Sequence, residues 1–108
     1  MLSRRLVAEP GRSEASCRRA RLTIHNDGAG AIGAIYAKPA GNRRWGADLL
    51  GGRPLGAGEG DDVAPRSGPA ARYDVWIEYT SGAGHYLGGM NLSACPRLGV
   101  TEFGVRPI

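Results

Sequence analysis

The sequence predicts an all-β fold, a small antiparallel β-sandwich of about six to eight short strands with Gly-rich turns. Three observations carry that reading. Short runs alternate apolar and polar residues, most clearly in RYDVWIEYT at 72–80. Eighteen glycines punctuate the chain and keep each run short. At 108 residues the chain has the size of one domain with one core.

The elements follow in order. LTIHN, 22–26, puts Leu22 and Ile24 on one face and Thr23 and His25 on the other, and Asn26-Asp27-Gly28 ends the strand with turn chemistry. AIGAIYAKP, 31–39, has Ile32, Ala34 and Tyr36 in period two with Ile35 out of phase, so Gly33 marks a candidate bulge; Pro39 ends the run. NRRWGADLLGG, 42–52, places Asp48 and Gly51 at the first and fourth positions of a type I turn. Trp45, Leu49 and Leu50 are apolar enough to seek cover, so the segment is expected to cross between strands with Trp45 turned inward as a plug. The alternative is an exposed Trp45 beside Asp48, a platform for a sugar or a peptide. Leu55 and Val63 anchor short strands around the turn GAGEGDD, which carries Asp61 and Asp62. In 72–80, Tyr73, Val75, Ile77 and Tyr79 share one face and Asp74, Trp76 and Glu78 the other, which predicts a central strand with Trp76 toward solvent. Ser81-Gly82-Ala83-Gly84 turns the chain into a hairpin partner, HYLGGMNLS, and RLGVTEFGV supplies the last strand.

Charge narrows the function classes. The first 21 residues hold six Arg and two Glu, so the whole formal excess of +4 lies there and the remainder is balanced. No basic, aromatic-interleaved patch follows Arg21, which argues against nucleic-acid binding. Residues 1–20 are expected to form a disordered basic tail or truncated leader, and 21–108 the single β-sandwich domain. Ser3-Arg4-Arg5-Leu6-Val7 is similar to the start of a twin-arginine signal, but Glu9, Pro10, Gly11 and Arg12 replace the apolar stretch. No functional signal peptide is legible, and no run is long enough for a transmembrane helix.

Gly28-Ala29-Gly30-Ala31-Ile32-Gly33 spells a dinucleotide fingerprint, yet Pro39 and Gly41 leave no room for the helix it needs, so a hairpin turn without cofactor is expected. The two cysteines, Cys17 and Cys95, lack zinc-ligand spacing and are expected as free thiols. Neither catalytic nor metal-ligating residues are assigned. Asp74 and Glu78 stand about 13 Å apart along a strand at ~3.3 Å per residue, too far for paired glycosidase carboxylates. The residues best suited to bind a partner are Trp45, Asp48, Asp74, Trp76 and His85: two large rings, two carboxylates and an imidazole.

A longer pattern appears in IHNDGAGAIGAIYAKPAGNRRWGADLLGGRPLGAGEG, RYDVWIEYTSG and MNLSAC. It resembles a group of small exported bacterial proteins, often labelled Tat-pathway signal proteins, with the pattern N-x-[TS]-G, LY-x-x-P, WG-x-D-x-LG and YD-[LV]. The matching positions are Asn26, Ile32, Ile35, Tyr36, Pro39, Trp45, Gly46, Asp48, Leu50, Gly51, Leu55, Gly58, Tyr73, Asp74 and Asn91. The resemblance implies a β-sandwich and a periplasmic or extracellular location. Two departures are visible: Ala71 and Arg72 stand where a Cys commonly precedes Tyr-Asp, and the apolar leader is missing, so a cytoplasmic location stays open. The expected function is a non-enzymatic, exported or envelope-associated module that contacts a protein or glycan partner. The alternative is a small hydrolase or metal-dependent enzyme using loop carboxylates and His85.

Overall fold

The computed structural model describes residues 19–66 and 72–108. Among them seven strands build two facing sheets: β1 (Leu22–Asn26), β2 (Ile32–Pro39), β3 (Gly60–Val63), β4 (Arg72–Tyr79), β5 (Gly84–Asn91), β6 (Arg97–Thr101) and β7 (Gly104–Pro107). One sheet has the order β3-β1-β6-β7 and the other β2-β4-β5. All neighbours are antiparallel except β1 and β6, which run parallel with Thr23 opposite Arg97. The expected all-β sandwich is therefore the fold, with one parallel pair inside it.

Alternation decides which side chains meet between the sheets. Leu22 and Ile24 of β1, with Leu98 and Val100 of β6, face Ile35 and Ala37 of β2 and Tyr73, Val75, Ile77 and Tyr79 of β4. The ambiguous phase of 31–39 is resolved by a register shift between Ile32 and Ala34, at the glycine anticipated as a bulge. Beyond it Ile35 and Ala37 point inward and Tyr36 is left on the outer face.

Three expectations are corrected. The 27–31 loop is no hairpin turn, because β1 and β2 belong to different sheets and the loop crosses between them. Asp61 and Asp62 lie on strand β3 rather than in a turn, and Asp62 accepts a hydrogen bond from the Thr23 hydroxyl at 2.6 Å across the pair. The final run is two strands, folded at Glu102-Phe103, because Gly104 takes the positive φ of 157° that closes the hairpin.

Asn26 ties this half together. Fully buried, its amide donates to the carbonyls of Gly30 and Leu55, each at 2.9 Å, and accepts from the Gly28 N–H at 3.1 Å. One side chain thus satisfies backbone groups of both adjacent loops. The Gly28–Gly30 turn is filled from within: Ala29 and Gly30 donate their N–H groups to the Glu102 carboxylate at 2.9 and 2.8 Å.

Cys95 is disulfide-bonded, which overturns the expected free thiol. Cys17, the other cysteine of the chain, lies outside the described residues, as does nearly all of the expected tail. No helix among the described residues is long and apolar enough to cross a membrane.

Candidate functional site

The segment 42–52 lies along the outer edge of β2 and splits its apolar residues between two sides. Leu50 is buried and Leu49 packs against the core. Asp48 accepts from the backbone N–H of Ile35 at 3.0 Å, Leu50 at 2.9 Å and Gly52 at 3.0 Å, while the Leu49 N–H donates to the Ile35 carbonyl at 2.7 Å. The turn is the one expected, and Gly51 supplies the left-handed residue it needs, with φ of 64°. Burial works against the Asp48 carboxylate, but its three N–H donors outweigh that and hold it below the usual range. Asp48 therefore seals a sheet edge, with three of its acceptor sites given to the backbone.

Trp45 is not an inward plug. It is 39% exposed and lies on the outer face of the three-stranded sheet, because the chain reaches the edge of β2 from that side before Leu49 and Leu50 turn inward. There its indole meets Tyr86 edge-on, with centroids 6.2 Å apart and planes at 89°. The Lys38 ammonium sits 4.9 Å from its centroid. The register of β2, β4 and β5 sets Tyr36 opposite Trp76 and Trp76 opposite Tyr86, so a row of three rings crosses the sheet beside Trp45. Tyr36, Trp45, Trp76 and Glu78 line a groove of about 440 Å³.

Trp76 is held in place rather than left to swing. Its indole N–H donates to Glu78 Oε1 at 2.8 Å. Its ring also covers Gly84, where an added Cβ would stand 2.7 Å from the ring and overlap the Ile77 carbonyl oxygen. Only glycine allows that approach.

Asp74 shares the outward phase of Trp76 and Glu78 but is only 7% exposed. Lys38 of β2 covers it at 2.8 Å, and the Gly89 N–H donates to its other oxygen at 3.0 Å. The Lys38 hydrogen bond, then the Gly89 N–H, hold the Asp74 carboxyl below its ordinary range. Lys38 also donates to the Asn42 carbonyl, fixing the start of the Trp45 segment. The pair is thus a mount for the aromatic face.

His85 stands apart from this group. It is paired with Ile77, one residue out of phase with Tyr86, so it sits on the inward side at the sandwich rim. Its Nε2 lies 2.8 Å from the Thr101 carbonyl and 3.4 Å from the Tyr79 hydroxyl, joining the two sheets. Of the five expected binding residues, then, Trp45 and Trp76 meet in one groove, Asp48 and Asp74 hold the backbone that carries them, and His85 lies elsewhere.

Sequence reading missed Tyr36, Tyr86, Glu78 and Lys38. Tyr86 was within reach: a hairpin turning at 81–83 brings residue 86 opposite Trp76. Tyr36 was not, because the bulge at Gly33 reverses which face it occupies. Among the described residues, no three His, Cys, Asp or Glu side chains group as metal ligands.

No protein-family model matches the chain, and no curated protein does. Among solved structures, the chain is similar to one described as the NMR structure of the protein from Eubacterium rectale, with a TM-score of 0.52 and 15% identity over 91% of this chain and 93% of that one. At that identity the likeness concerns the fold alone.

Proposed function

We propose that the protein is an exported, non-enzymatic binding module that stacks a glycan on the outer face of its three-stranded sheet. One observation carries this: both tryptophans and two of the four tyrosines gather on a face that the core does not use. Ring faces are electron-rich and sugar C–H bonds carry partial positive charge, so a pyranose stacked on an indole gains contact while releasing poorly bound water. The groove volume suits a few sugar units, and Glu78 stands at its wall to accept from hydroxyls.

A protein interface of standard size buries about 800 Å² on each partner around an apolar centre, whereas the rings here line a groove of about 440 Å³ closed by the charged Glu78. An enzymatic reading has less support, because Asp48, Asp74 and His85 each hydrogen-bond within the fold and do not converge on one pocket. The disulfide at Cys95 supports an oxidising compartment, and so a periplasmic or extracellular location.

The test is titration of the intrinsic tryptophan fluorescence with a panel of oligosaccharides, for the wild type and for Trp45→Ala. A saturable change with at least one sugar, lost in the variant while its melting curve is kept, is expected. The absence of any response across the panel, or binding that ignores the substitution, overturns the reading. Retention of a protein partner through this face with no sugar response would replace it.

A further inference from the structure

We propose that the glycan taken by this face is anionic, with its acidic groups directed to Arg44 and Arg66; the inference rests on the glycan reading and adds the ligand class to it. A second hollow, of about 330 Å³, is lined by Lys38, Asn42, Arg44, Gly46, Pro65 and Arg66 among others, two of them the chain neighbours of Trp45. The two hollows meet at one pair of side chains, since the Lys38 ammonium that lines the second lies 4.9 Å from the Trp45 ring that lines the first.

Their charges differ in kind. The Lys38 charge is matched by Asp74 at 2.8 Å and is not available to a ligand. Among the described residues, neither Arg44 nor Arg66 forms an ion pair or hydrogen bond with another group. The lining of this hollow holds Lys38, Arg44 and Arg66 and no carboxylate, so with Lys38 matched by Asp74 the two guanidinium groups are its net positive charge. Guanidinium presents a planar fork of donors that matches a carboxylate or a sulfate in two parallel hydrogen bonds. At the other end Glu78 repels an anion. A sugar stacked on Trp45 and Trp76 is therefore oriented by charge, acidic substituent toward the arginines and hydroxyls toward Glu78.

The experiment titrates the full chain with trigalacturonate, with a sulfated dextran oligomer and with neutral cellotriose, at low salt and at about 0.5 M salt, where screening shortens to a few ångströms. The variants are Arg44→Gln/Arg66→Gln, Trp45→Ala, and Arg97→Gln on the opposite sheet as a control. The expected result is that one of the acidic probes binds at least about tenfold tighter than cellotriose at low salt, and that high salt or the double variant removes this margin. Trigalacturonate and the sulfated probe separate carboxylate from sulfate as the recognised group. Equal affinity for cellotriose, or an acidic preference untouched by the double variant, overturns the charge assignment and leaves the glycan module standing. If none of the three probes binds and the wider panel is also silent, the glycan reading falls with it. Acidic binding lost in the double variant but indifferent to Trp45→Ala is charge attraction alone and overturns both.

Discussion

The two outer faces of the sandwich rest on the same core and are finished in opposite ways. On the four-stranded sheet, Thr23 donates to Asp62, and His25 pairs with Asp27 at 2.6 Å and lies over Gly60; short polar side chains answer one another within a strand or two. On the three-stranded sheet, Tyr36, Trp76 and Tyr86 stand in a row with Trp45 against them, and Tyr86 remains 58% exposed. Away from its β6–β7 edge, where Phe103 and Ile108 are exposed, the four-stranded face is finished by its own side chains. The other keeps large apolar rings in water, where their exposure costs free energy and only a partner recovers it.

The difference can be broken or sharpened by substitution. The largest stability effect is expected beneath the aromatic face, at Leu50→Ala, which should cost about 2–5 kcal/mol in a urea titration by opening a cavity in the core. Asp48→Ala should cost about 1–3 kcal/mol, since the Ile35 N–H at the edge of β2 loses its acceptor. Trp45→Ala should cost no more than about 1 kcal/mol, because the indole is already partly in water, and its effect should fall on ligand binding. His25→Ala, on the self-contained face, should stay within about 0.5 kcal/mol and leave binding unchanged. If Trp45→Ala proves costlier than Leu50→Ala, the rings are part of the scaffold and the contrast between the faces disappears.

Acid should act on both faces. Asp74 is held below its ordinary range by Lys38, Asp48 by three backbone donors against its burial, and Glu102 by the Gly30 N–H first, then its own and that of Ala29. A carboxyl whose folded value is depressed gives its full contribution above the unfolded value near ~4 and loses it as pH falls through the folded value. The urea midpoint is therefore expected to be flat from neutral pH to about 5 and to drop steadily below about 4. A midpoint that holds or rises in that acidic window would show that the three carboxylates are not linked to folding.

Much of the scaffold was legible because it rests on period-two patterning and on turn chemistry, both local. The inward set of β4, the hairpin into β5 and the Asp48 turn all come from residues within a few positions of one another. The face of Trp45 depends instead on which side of the sheet edge the chain passes, and apolarity gives the same signal for a ring in the core and a ring on a platform. The burial of Asp74 depends on Lys38, which lies 36 residues away in sequence. The position of Tyr36 beside Trp76 follows from a bulge and a sheet pairing that no short window contains.

The parallel pairing of β1 with β6 has a consequence for how the chain comes to be folded. β1 occupies an interior place in its sheet, yet its neighbours are β3 and a strand far along the sequence, Thr23 lying opposite Arg97. Until residues 97–101 are in place, Leu22 and Ile24 have no complete sheet to belong to, and the β1–β6 pairing must close a loop spanning most of the molecule before it contributes. Folding should therefore be slow for a domain of this length. A truncation before Arg97 should yield no native-like intermediate, only a collapsed and protease-sensitive polypeptide.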